Sequence, residues 1–120
     1  MMKGKSGFDL EDRLIDFAVR IIRTSESLPK SKVGKHIASQ LIRSGTSPAP
    51  NYGEEAQSAE SRSDFIHKMK ISLKELRETR IWLLTIIRAD LIKPASKLKI
   101  LIDESDQLIS IFVKSVGTAK

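Results

Sequence analysis

The sequence contains no cysteine, so neither a disulfide nor a thiolate-held metal is open to it. Aromatic residues make up only 5% of the chain, which leaves the interior to aliphatic side chains, mainly Leu and Ile. The four prolines, Pro29, Pro48, Pro50 and Pro94, all fall outside the long apolar-periodic segments. No run approaches the ~18 apolar residues of a membrane-crossing helix. The best, Trp82 to Ile87, is short and contains Thr85. Lys3 and Lys5 have no apolar stretch behind them, so a secretory signal is not supported and a cytoplasmic location with no membrane contact is expected. Acids are in deficit: 21 Lys and Arg against 15 Asp and Glu give a net charge of +6 and a pI near 9.7. Such a surplus draws in phosphate backbones or acidic surfaces through a long-range field, although many soluble proteins carry it with no partner at all.

What the chain does have is helical periodicity. Asp9 can cap a first helix, expected over 9–26, with Asp12 at the third helical position and acids at the positive end of its dipole. Leu10, Leu14, Phe17, Ala18, Ile21 and Ile22 recur at three- and four-residue spacing, and Pro29 closes the segment. A second helix over 31–46 carries Val33, Ile37, Leu41 and Ile42. Gly45, Pro48 and Pro50 form its natural limit, with a kinked continuation to about residue 58 as the alternative. The third and longest helix, over 61–90, has Phe65, Met69, Leu73, Leu76, Leu83 and Ile87 as its seam, widened by Ile66, Trp82 and Ile86. Pro94 starts the last, over 95–116, where Leu98, Leu101, Ile102, Leu108, Ile109, Phe112 and Val116 form a stripe and Gly117 ends it. The pattern predicts one all-α domain spanning 1–120, an antiparallel up-and-down four-helix bundle with a flexible N-terminus over 1–7. Ile100 and Ile111 stand off the last stripe and would make sense buried against a second copy.

No constellation in the chain looks catalytic. Gly4-Lys5-Ser6 and Gly34-Lys35 echo a phosphate loop without its upstream glycine or preceding strand. Glu60, Asp64 and His67 share one helix face, but His36, the only other histidine, has no acid three residues before it to supply a second half of a di-metal site. Ser44 and Ser47 lie in a turn-like stretch with no nucleophile elbow, and capping is their simpler role. The expectation is a protein that is not an enzyme, with no catalytic residue, metal or cofactor.

The basic residues point further. Lys30, Lys32, Lys35 and Arg43 surround the second helix, while Lys68, Lys70, Lys74, Arg77 and Arg80 lie on the third. If those helices expose neighbouring faces, the nine cations make one nucleic-acid-binding surface, which self-association would multiply. Asp64, Glu75 and Glu78 interleave with them and would weaken it. Tyr52 is the one aromatic that looks exposed, so binding would address backbone or shape of RNA or DNA rather than bases. The alternative is a structural or protein-interaction module with a protein partner.

The stretch from Gln40 to Leu83, QLIRSGTSPAPNYGEEAQSAESRSDFIHKMKISLKELRETRIWL, carries a resemblance. Gln40, Arg43-Ser44-Gly45-Thr46-Ser47, Asn51-Tyr52, Glu54, Ala59, Ser61-Arg62, Asp64-Phe65, Lys68, Lys74-Glu75, Glu78-Thr79 and Trp82-Leu83 resemble the signature of the four-helix-bundle proteins encoded in intervening sequences of bacterial 23S ribosomal RNA genes. The likeness runs from Phe8 to about Phe112. Pro48 and Pro50 depart from the expected apolar and small residues, as does Gly53-Glu54-Glu55-Ala56, where one acid followed directly by Ala is usual. The resemblance implies an up-and-down bundle that assembles into a ring-shaped homopentamer. It is related in fold to the accessory variability determinant of diversity-generating retroelements, thought to bind nucleic acid and a reverse transcriptase. It implies no catalytic residue, and it makes Arg43, Ser47, Asn51, Glu54, Arg62, Phe65, Glu75 and Trp82 helix-bend and packing determinants.

Overall fold

Asp9 opens the folded chain by accepting the Asp12 backbone N–H at 3.2 Å, and α1 (Leu10–Glu26) follows. A computed structural model describes residues 9–119; the expected flexible segment 1–7 and Gly4-Lys5-Ser6 lie outside them. Leu10, Leu14, Phe17 and Ile21 are the buried face of α1, whereas Ile22, expected on that face, is exposed together with Ile15 and Val19.

Helix α2 (Lys32–Thr46) starts at Ser31, whose hydroxyl accepts the Gly34 N–H at 3.1 Å. Two glycines set its fit. A Cβ at Gly34 would lie 1.9 Å from the Pro29 carbonyl oxygen, and one at Gly45 would lie 2.7 Å from Ile21 Cγ2. Only hydrogen fits between α1 and α2 at that crossing. Ile37 and Leu41 are buried as expected of the stripe, but Val33 and Ile42 are not: both face outwards.

Pro48 and Pro50 do not end the helical path. Ser47 keeps helical backbone angles (φ −79°, ψ −30°), one turn follows over Pro48–Pro50, and the chain widens into a π-helical segment over Asn51–Ala56. The kinked continuation is thus the form taken, two residues short of position 58. The prolines lack the N–H groups that would reach the Ser44 and Thr46 carbonyls. The Asn51 N–H restores a helical bond to the Ser47 carbonyl at 3.1 Å, and the looser register absorbs the mismatch.

Ser61 caps the longest helix, α3 (Arg62–Arg88), by accepting the Asp64 N–H at 3.0 Å, while Asp64 Oδ2 accepts the Glu60 N–H at 3.2 Å. Its buried line is Met69, Ser72, Leu73, Leu76, Thr79, Leu83 and Ile86. Phe65, Ile66, Trp82 and Ile87 are half-buried along its edges, so Ile86 rather than Ile87 belongs to the seam. Asp90, in the left-handed region at φ 61°, turns the chain away, and a cis Lys93–Pro94 bond leads to α4 (Ser96–Ala119). Gly117 does not end α4, which continues to Ala119; a glycine without steric neighbours weakens a last turn but need not break it. Leu98, Leu101, Leu108, Phe112 and Val116 are buried there; Ile102, Ile109 and Ile111 are half-buried, and Ile100 is 64% exposed. Ile111 therefore packs against its own core.

Among the described residues there are these four long helices and no strand. Successive helices pack on one another through links of a few residues, which reverses the chain each time, and α4 returns to α1. The result is one domain of 45 × 28 × 22 Å with a single aliphatic core around Phe17 and Phe112. Arg13 of α1 clamps α4 through both Glu104 oxygens, at 2.8 and 3.1 Å, and Gln107 at 3.1 Å. No described helix is long and apolar enough to cross a membrane.

Candidate nucleic-acid interface

The nine cations singled out in the sequence separate into three groups once the helices are packed. The first group is neutralised. Arg43 Nη1 donates to Glu75 Oε1 at 3.1 Å and its Nη2 pairs with Glu78 Oε2 and reaches Gln40 at 3.3 Å. Glu78 also accepts the Trp82 indole N–H at 3.2 Å, and the His36 ring stands edge-on to Trp82 at 6.2 Å. Lys68 pairs with Glu55 at 2.9 Å, and that contact raises its pKa. Arg80 pairs with Asp106 at 2.5 Å. These three cations hold the bundle together: α2 to α3, the π segment to α3, and α3 to α4.

The second group, Lys70, Lys74 and Arg77, forms an exposed stripe on α3 at four- and three-residue spacing. The third, Lys30, Lys32 and Lys35, sits where α2 begins. His36 beside Trp82 sets Lys35 level with the last third of α3, so Lys70 lies about 18 Å farther along the axis at 1.5 Å per residue. The helices therefore do not join the nine into one surface.

They gather a different cluster instead. The antiparallel packing brings the end of α1, the start of α2, the end of α3 and the start of α4 to one end of the bundle. Arg23, Thr24 and Ser27 share a cleft there with Ile92, Lys97 and Leu98. Arg23, Arg88, Lys97 and Lys99 thus join Lys30, Lys32 and Lys35, and all seven are exposed. The acids at this end are Glu26 and Asp90, the latter held by Lys93 at 3.1 Å. The first turn of α2 has no acid, so its dipole adds positive potential to the lysines. The opposite end collects Asp9, Glu11, Asp12, Glu54, Glu55, Glu60 and Asp64 against the exposed Arg62 and Lys114, with a cleft lined by Glu54, Glu55, Ser58, Glu60, Asp64 and Lys68. Charge is therefore polarised along the long axis. Arg23, Arg88, Lys97 and Lys99 carry no motif of their own; only the up-and-down order of helix ends could have singled them out.

The motif residues have packing roles at and around the bend. Arg43, Glu75 and Trp82 form the clamp just described. Ser47 sits at the proline turn with its hydroxyl buried and without a hydrogen-bond partner, and its carbonyl takes the Asn51 N–H. Phe65 is half-buried against the core, whereas Glu54 and Arg62 are exposed. Tyr52, which looked exposed, stands edge-on to Phe112 at 6.0 Å and is half-buried. Burial first, then the nearby Asp9 and Glu11 charges, push its phenol pKa up, against a lowering hydrogen bond with Gln57. Glu60, Asp64 and His67 do not converge, since Asp64 is used to bind the Glu60 N–H; among the described residues no three such side chains are placed to hold a metal ion.

The model of the 23S rRNA-intervening sequence protein family matches residues 9–114, nearly the whole of the described chain. The chain belongs to that family. A solved protein of unknown function from the S23 ribosomal protein family, from Bacteroides thetaiotaomicron VPI-5482, is similar to this member over 90% of this chain and 98% of its own. The sequences are 32% identical and the TM-score is 0.82. No curated protein matches the chain.

Proposed function

We propose that this family member is a non-enzymatic, cytoplasmic, homo-oligomeric bundle that binds the backbone of RNA or DNA without sequence preference. The observation that carries the reading is the basic end, where Lys30, Lys32, Lys35, Arg23, Arg88, Lys97 and Lys99 face solvent or line the end cleft against two acids. Cations spaced over an end face 28 × 22 Å across match phosphates on a groove or a folded RNA surface. Each phosphate neutralised releases condensed counterions, which supplies affinity without base contacts. The half-buried Tyr52 and the packing of Phe17, Phe65, Trp82 and Phe112 in or against the core favour backbone over base stacking. The ring-shaped homopentamer implied by the family resemblance belongs to this reading, because a ring multiplies the number of basic ends offered to one strand.

The second reading, a module whose partner is a protein, draws on exposed Ile15, Val19, Ile22, Ile81 and Ile100. A fluorescence-anisotropy titration of a structured RNA and a duplex DNA, at low and at physiological salt, separates the two. Binding that weakens steeply with salt is expected; no binding at low salt would overturn the phosphate reading and leave the protein partner.

A further inference from the structure

Three other clefts of the bundle each hold a carboxylate: Glu54 and Asp64 at the acidic end, Asp106 between α3 and α4, and Glu11 beside the bend. The cleft at the basic end, about 220 Å³ in volume, holds none. Its charged side chains are Arg23, from the last turn of α1, and Lys97, from the first turn of α4. Thr24 and Ser27 add hydroxyls to its lining, and half-buried Ile92 and buried Leu98 add apolar surface. Both cations are exposed, and among the described residues neither is paired with a carboxylate. Asp90, one of the two acids at this end, is already held by Lys93 at 3.1 Å.

The helix ends do not oppose an anion here. Helix α1 closes at the cleft and brings the negative end of its dipole, roughly half a charge, towards it. Its last carbonyls are occupied. That of Arg23 accepts the Ser27 hydroxyl at 3.1 Å, that of Thr24 the Ser27 N–H at 3.0 Å, and that of Ser25 the Leu28 N–H at 3.2 Å. Helix α4 starts at the same cleft with no acid in its first turn, so its positive end offsets what remains. Two full cations therefore set the sign of the field.

Shape selects among phosphates. An internal phosphodiester is flanked by sugar on both sides, and a small concave cleft favours a group that projects. A terminal phosphate projects, offers three free oxygens and carries about −1.5 to −2 charge at neutral pH. An arginine takes two such oxygens at once, and a lysine meets the third as a point charge. The exposed Ser27 hydroxyl can turn from the Arg23 carbonyl to the ligand and leave that carbonyl to water. Ile92 and Leu98 keep water from one side, which strengthens both ionic contacts.

We infer that the cleft between the end of α1 and the start of α4 is a site for a terminal phosphate, a phosphomonoester at the end of an RNA or DNA strand, held by Arg23 and Lys97. The inference rests on the phosphate reading of the proposed function and narrows it from backbone to strand end. The remaining cations of the end face hold the strand that follows.

The test is a fluorescence-anisotropy titration of the full chain with a short single-stranded RNA labelled at one end. The other end carries either a phosphate or a hydroxyl, and the hydroxyl strand is one nucleotide longer, so that total charge is nearly matched. The phosphorylated strand is expected to bind on the order of tenfold more tightly. Arg23→Gln and Lys97→Gln are each expected to abolish that preference, whereas Lys32→Gln weakens both strands alike and keeps it. Circular dichroism checks that each variant keeps its fold. A nucleoside monophosphate is expected to displace the phosphorylated strand only at far higher concentration, since it lacks the rest of the strand. Displacement at the strand's own concentration would make the ligand a free nucleotide and overturn the strand-end assignment. Equal binding of both strands by wild type would overturn this site alone, as would a preference that survives both cleft variants. No binding of either strand would overturn the phosphate reading itself and this site with it.

Discussion

The hydroxyls of Ser44 and Thr79 lie 2.9 Å apart at a place where neither residue has any exposed surface. Each belongs to a consecutive motif pair whose other member faces out: Arg43 beside Ser44, Glu78 beside Thr79. The same two turns therefore join α2 to α3 twice, by a buried hydroxyl contact and by a half-exposed ion cluster. Thr79 also donates to the Glu75 carbonyl at 2.8 Å. Replacing Thr79 by Val removes that bond and strands the Ser44 hydroxyl, which then has only a long 3.5 Å contact to the Leu41 carbonyl. We expect Thr79→Val to cost about 1–3 kcal/mol in urea unfolding and Thr79→Ser well under half of that. Equal losses would mean that methyl packing, not the hydroxyl, holds the crossing.

Gly45 offers a second check on the helix contacts. Its missing Cβ is what lets Ile21 approach, so Gly45→Ala should destabilise by about 1–3 kcal/mol despite the better helix propensity of alanine. Gly117→Ala, where a Cβ meets nothing, should stabilise slightly. A stabilised Gly45→Ala would mean that α1 and α2 cross less closely.

Leu76, fully buried near the middle of α3, tests the register of the longest helix. Leu76→Ala should cost about 2–5 kcal/mol by thermal or urea unfolding. A loss well under 1 kcal/mol would place that face outside the core.

Tyr52 is the single tyrosine, so its titration can be followed directly by phenolate absorbance. Its pKa in the folded protein stands above the ordinary 10.0. The neutral phenol is therefore favoured by folding, and its contribution is fully present below pH 10.0. It is lost as pH rises through the folded pKa. Wild type should lose stability there faster than Tyr52→Phe, which has no proton to release. A phenol that titrates at or below 10.0 would contradict its burial against Phe112.

The basic end makes a prediction that net charge alone does not. Lys32→Glu with Lys35→Glu should weaken RNA and DNA binding and lower the slope of log K against log salt by about two, near one per lost phosphate contact. Arg43→Gln, which removes a cation already paired with Glu75 and Glu78, should leave that slope nearly unchanged. Equal effects of both variants would mean that binding follows total charge rather than the end face.

The helices themselves were legible in the residue pattern. Asp9, Ser31 and Ser61 announce their starts because a short side-chain oxygen before an apolar period satisfies the first free N–H groups wherever it occurs. Burial of Leu14, Leu41, Leu76 and Leu108 follows from spacing alone, since a face every three or four residues has only one way to leave water. The family was legible too, from the run between Gln40 and Leu83, because motif residues such as Arg43, Glu75 and Trp82 keep recognisable types even though their contacts are invisible along the chain.

Tertiary structure decided the rest. Whether Pro48 ends a helix or bends it depends on what the freed carbonyls and the next turn can pack against, and only the folded chain supplies Ile15 and Glu11 beside Ala49 and Gly53. Whether a cation is free depends on acids 13 to 35 residues away, as Glu55, Glu75, Glu78 and Asp106 show for Lys68, Arg43 and Arg80. Periodicity places a side chain on a face of its own helix. Charge acts through space between helices, so the position of the basic end is a property of the bundle and not of any one segment.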